Sequence, residues 1–160
     1  MGETLAWIAA TAEGSSLAGA LKFSRWGYSL TNLAHIFGVA LLIGAILPLD
    51  LRLLGLWRGI DRAALARVLA PVAALGLAIA LAAGVALFTV RAGDYVKATL
   101  LAWKLAFIAV GTVAAILIHV RAGLWIERAT ARQAAAHGAT SLVCWLGAMA
   151  CGRLIAYFPN

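Results

Sequence analysis

The stretch Tyr28–Leu53, YSLTNLAHIFGVALLIGAILPLDLRL, decides the fold. From Ser29 to Leu49 its only polar side chains are Ser29, Thr31, Asn32 and His35, all in the first third. A bilayer core about 30 Å thick takes roughly 20 apolar residues of helix, so this run is long enough to cross one. Tyr28, Asn32, His35, Val39 and Leu42 recur at steps of four and three and therefore share one helix face. A histidine, an asparagine and a tyrosine on one stripe of a membrane helix mark a candidate site.

Composition agrees with a membrane domain. Of 160 residues, 64% are hydrophobic and 12% charged, against roughly 25% charged in a soluble domain. The length suits one domain. The net charge of +7 comes from arginines clustered between apolar runs, where they set topology and meet anionic lipid head groups. Nucleic-acid binding is not expected. Cys144 and Cys151, seven residues apart in one run, would stand roughly 10 Å apart on a helix, beyond the reach of about 7 Å for a disulfide. The N-terminal residues 1–16 carry Glu3 and Glu13 and no sustained apolar core, so they do not read as a secretory signal.

The pattern predicts an all-α integral membrane protein, a four-transmembrane-helix up-down-up-down bundle with a short N-terminal interfacial helix. That helix occupies about 3–22, broken near Gly14-Ser15-Ser16. The spans are predicted at about 26–49, 68–90, 99–120 and 139–158, each packed beside its sequence neighbour. Residues 50–67 read as a surface connection, and Pro71 as a first-turn proline of the second span. Ala80 and Gly84 form a small-xxx-small pair that admits a close neighbour. Trp26, Trp57, Trp103, Trp125, Tyr157 and Phe158 fall at the expected membrane surfaces. Seven arginines lie in the 1–2 and 3–4 connections, against four basic residues on the opposite side. This bias predicts that both termini lie outside and the two arginine-rich connections in the cytoplasm.

Depth follows from the rise per residue. His35 and Arg153 fall about 6 Å from their span midpoints, and Lys104 about 9 Å, all toward the same surface. Charges at such depth usually face a bundle interior or a wet cavity. Asn32, Tyr28 and Tyr157 lie just above them, and Asp50 and His119 form a second polar layer at the other side. His119 sits about 19 Å deeper than His35, too far for one bis-histidine haem.

Several of these residues carry a resemblance to a known family. Trp26-x-Tyr28 with Asn32-x-x-His35, Gly44 through Asp50-Leu51-Arg52-Leu53-Leu54-Gly55, Tyr95 with Lys104, His119, and Gly152-Arg153-Leu154-Ile155-Ala156-Tyr157 resemble small bacterial inner-membrane proteins classed as a domain of unknown function. The resemblance implies the four-helix fold and singles out His35, Asp50, Arg52, Lys104, His119 and Arg153. It departs at Gly111-Thr112-Val113-Ala114, where an asparagine is expected. More loosely, the design is similar to b-type cytochromes and copper-resistance membrane proteins.

The leading expectation is a b-type haem or quinone-linked electron-transfer protein, with His35, Asn32, Tyr28, Lys104, Arg153 and Tyr157 around the cofactor. The alternatives are a binding or transport module for a metal ion or small anion, with His35 at the outer site and Asp50 and His119 at the inner one, and an assembly subunit. Membrane lipids, a second copy or a redox partner are the expected contacts. No nucleophile–base constellation, phosphate loop or paired carboxylate suggests a hydrolase or transferase.

Overall fold

The computed structural model describes residues 2–96, 98–155 and 157. Its elements are α1 (Gly2–Glu13), α2 (Ser16–Phe23), α3 (Gly27–Leu53), α4 (Arg62–Val90), α5 (Ala92–Tyr95), α6 (Thr99–Ala122) and α7 (Ala131–Leu154). Four of them, α3, α4, α6 and α7, are long and apolar enough to cross a membrane. With 27, 29, 24 and 24 residues, they extend about 36 to 43 Å at a rise of about 1.5 Å per residue.

The helices do not end where the apolar runs end. Helix α4 begins at Arg62 because the Asp61 carboxylate accepts the Ala64 amide at 2.7 Å. Pro71 is consequently inside the helix and not in its first turn. Helix α7 begins at Ala131, behind a reciprocal cap in which Thr130 and Gln133 bond each other's backbone amides. It closes at Leu154, short of the expected 158, and Phe158 lies outside the described residues. Helix α3 continues through Pro48 to Leu53, so Asp50 and Arg52 belong to the helix and not to a surface connection. The N-terminal segment is two helices, separated at Gly14 and Ser15, with Ser15 capping the second.

The long helices alternate in direction but close on only three sides. Helix α3 packs along α4, α7 along α3, and α6 along α7; α4 and α6 hardly approach one another. The expected contact between the second and third spans is therefore missing. The reason lies in the residues: glycines face the three formed seams. A Cβ at Gly38 would stand 2.6 Å from the Ala80 amide nitrogen, and one at Gly76 would stand 2.8 Å from the Gly38 carbonyl oxygen. Gly76 and Ala80 extend the small-xxx-small row to Gly84, and the two backbones touch along it. Gly111 faces Cys144 and Trp145 on α7, with 3.2 Å between its would-be Cβ and the Trp145 ring. The indole fills the space that a helix-6 amide would have needed.

The two ends of the bundle differ. At one, Leu49, Leu53, Ala66, Ala122, Ile126, Ala129 and Ala134 form a buried cluster. Ile126, in the α6–α7 connection, is 1% exposed, and Arg62 ties α4 to that connection through the Ala129 carbonyl at 3.2 Å. At the other end, α1 and α2 lie against α3, α4 and α5, and the Glu13 carboxylate accepts the Gly93 amide at 2.7 Å.

Candidate functional site

His35 is half-buried on α3, facing α4. Its Nδ1 lies 2.8 Å from the Ala80 carbonyl oxygen. A carbonyl can only accept, so Nδ1 carries the proton and the neutral ring holds its lone pair on Nε2. The ring rests on Gly84, where a Cβ would come within 3.2 Å of Cε1. Glycine at 84 is what lets the imidazole lie against α4.

Lys104 reaches the same level from α6. It is half-buried. Its Nζ lies beside Gly152 of α7, 3.3 Å from where a Cβ would be. Among the described residues neither His35 Nε2 nor Lys104 Nζ has a hydrogen-bond partner within the chain, and neither atom is sealed from its surroundings. A ring nitrogen acceptor and an ammonium donor thus face one region, next to the side where α4 and α6 stay apart.

The other residues expected here are less buried. Tyr28 and Asn32 are exposed, above the level at which α3 becomes buried at Gly38 and Leu42. Arg153 follows Gly152, against which Lys104 lies, and is exposed in the last turn of α7. Its guanidinium donates to the Tyr157 hydroxyl and lies 4.7 Å from that ring's centroid. It thus shares the level of Lys104 but turns outward onto Tyr157.

The inner layer is also rearranged. Asp50 is 2% exposed, and its Oδ2 is the one sealed side-chain polar atom without a partner among the described residues. It packs where α3 meets α7: a Cβ at Gly138 would stand 2.9 Å from the Asp50 carbonyl oxygen, and Ser141 is the polar side chain beside the carboxyl. His119 instead turns to the α6–α7 connection, with Nδ1 2.8 Å from the Leu124 carbonyl oxygen, near His137. Among the described residues no three His, Cys, Asp or Glu side chains gather as a metal site. Cys144 and Cys151 are buried free thiols.

Of three histidines in the chain, His35 is alone at its end. Haem held by two histidines of a single chain does not fit this arrangement. Comparison with family models, curated proteins and solved structures finds no match for the chain.

Proposed function

We propose that the chain is a multi-pass protein of the bacterial inner membrane that binds a quinone at the His35–Lys104 end and serves electron transfer to a membrane partner. The arginine-rich connections would face the cytoplasm, and both termini and the quinone site the periplasmic side. One observation carries the reading: the Ala80 carbonyl fixes the His35 ring with its lone-pair nitrogen free, and the Lys104 ammonium, also without a partner among the described residues, lies against Gly152 in the same layer. Nε2 is suited to take the proton of a quinol hydroxyl, and Lys104 to hold the oxygen as it becomes negative. The electrons would leave to a redox centre on the partner protein. The space beside α4 and α6 gives a lipid-soluble ring a lateral way in.

The test is titration of a short-chain quinone into detergent-purified protein, followed by quenching of tryptophan fluorescence, beside His35→Ala and Lys104→Met. Loss of a charge-assisted or neutral hydrogen bond predicts weakening of about tenfold in each variant. Equal affinity in wild type and both variants would overturn the site. An absorption spectrum of the same samples separates the runner-up. A Soret band that shifts on dithionite reduction and vanishes in His35→Ala would assign haem b, shared by the His35 residues of two copies. The orphan oxygen of Asp50 favours a further reading, in which the bundle passes a cation or small polar solute.

A further inference from the structure

The arginine-rich end carries a second feature, separate from His35. A surface cavity of about 330 Å³ lies between α6 and α7, with Arg121, Arg128, Gln133 and His137 on its polar side and Leu117 and Ile118 on its floor. Beyond it the outer face of α6 continues toward the middle of the bundle as a shallow apolar surface of Ala109, Val110, Val113, Ala114 and Leu117. The two share Ala114 and Leu117, so the cationic cavity opens onto this apolar strip, which we call the α6–α7 trough. Arg121 and Arg128 are exposed, and among the described residues neither guanidinium has a hydrogen-bond or ion-pair partner. The Glu127 carboxylate accepts the Trp125 amide at 3.1 Å and lies on the same side of Gly123 as the Arg128 guanidinium, without closing an ion pair with it.

From this we infer that the α6–α7 trough is a binding site for one anionic phospholipid, its phosphate on Arg121 and Arg128 and one acyl chain along α6. Two free guanidiniums match a phosphate diester, which Arg engages through paired donors. Gln133 and His137 offer further hydrogen bonds to the head group. Length argues for a lipid over a free phosphate. Eleven residues separate Val110 from Arg121, about 16 Å of helix, which matches the roughly 15 Å hydrocarbon depth of one leaflet.

The test is native mass spectrometry of the detergent-purified full chain, titrated with phosphatidylglycerol or with phosphatidylcholine of the same acyl chains. The wild type should retain phosphatidylglycerol at least tenfold more tightly than phosphatidylcholine. Arg121→Gln with Arg128→Gln should abolish that preference, whereas Arg67→Gln with Arg132→Gln, which removes equal charge from exposed positions at the same end, should preserve it. Val113→Trp, which fills the apolar length, should weaken retention with both arginines intact. The double lysine variant at 121 and 128 keeps the charge and should retain part of the preference, which guards against a misfolded double glutamine variant. Equal loss in the two glutamine pairs would reduce the effect to general surface charge and overturn the site. Displacement of the lipid by millimolar inorganic phosphate, with Val113→Trp unaffected, would overturn the lipid assignment in favour of a free anion.

Discussion

The two ends of the bundle are built on opposite principles. The arginine-rich end is closed: Ile126 is inserted under the α6–α7 connection, Arg62 fastens that connection to α4, and even a carboxyl, Asp50, is buried between helices. The His35 end is left with unsatisfied chemistry that can still be reached, a ring nitrogen and an ammonium beside a side where two helices do not meet. The lesson concerns where binding is compatible with a small bundle. Both ends hold polar atoms without partners, but Asp50 Oδ2 is sealed between helices at one, whereas His35 Nε2 stays accessible at the other.

Helix burial follows the same division. In its most apolar stretch α7 is 33% buried and α6 only 6%, although α7 is the less apolar of the two. Small residues, Gly138, Ser141, Gly147 and Gly152, place α7 among its neighbours. Helix α6 leans on α7 alone and turns Val110, Val113, Ile116 and Val120 outward. In a bilayer, close approach through small residues decides which helix is central, and apolarity decides only which helices cross.

The largest expected effect is at the plug. Ile126 is buried at 1% exposure and holds φ at 62°, a backbone region that a β-branched residue adopts only when its surroundings impose it. Ile126→Ala should destabilise by about 3 kcal/mol, from lost burial and the cavity left behind. Thermal unfolding in detergent, followed by intrinsic fluorescence, measures it. A cost below about 1 kcal/mol would mean that the arginine-rich end is not closed by this residue, and the contrast between the ends would fail.

Asp50 sharpens the contrast from inside the closed end. Its Oδ2 is sealed without a donor, so burial of that oxygen costs free energy that Ser141, beside the carboxyl, does not fully offset. Asp50→Asn keeps the shape, removes a possible charge and should change stability by no more than about 1 kcal/mol, in the stabilising direction. A loss of about 3 kcal/mol or more in the same unfolding assay would show that the carboxylate serves an ion pair or bound cation. That outcome would move the functional weight from the His35 end to Asp50.

The four long helices were legible because each apolar run is long enough to cross a bilayer as a helix. Their ends were less so, since a helix stops where its backbone is capped and not where its hydropathy falls. Two of the caps were nonetheless written in the chain: Asp61 before Arg62, and Thr130-x-x-Gln133, a capping-box spacing that starts the helix at Ala131, eight residues ahead of the expected 139. The common level of His35 and Lys104 follows from the rise per residue alone. The Ala80 carbonyl that orients the ring could not be read, because it depends on the register of α3 against α4. The burial of Asp50 is similar. Pro48-Leu49-Asp50-Leu51-Arg52 has the composition of a membrane boundary, and only Gly138 and Ser141, from a distant part of the chain, make room for its carboxyl.

Arg153 carries the smallest expected effect. A guanidinium buried inside a bundle would be costly to leave and costly to remove; an exposed one, folded onto Tyr157, is neither. Exposed cation–π and hydrogen-bonded pairs contribute about 0.5–1 kcal/mol. Arg153→Gln should accordingly shift stability by less than about 1 kcal/mol and leave quinone affinity within about twofold of wild type, a difference below about 0.4 kcal/mol. The same titration that tests His35 reads the second quantity directly. A tenfold loss of affinity in Arg153→Gln, with stability unchanged, would return the guanidinium to the polar layer and extend the site from Lys104 across the end of α7, making the open end larger than its buried groups define.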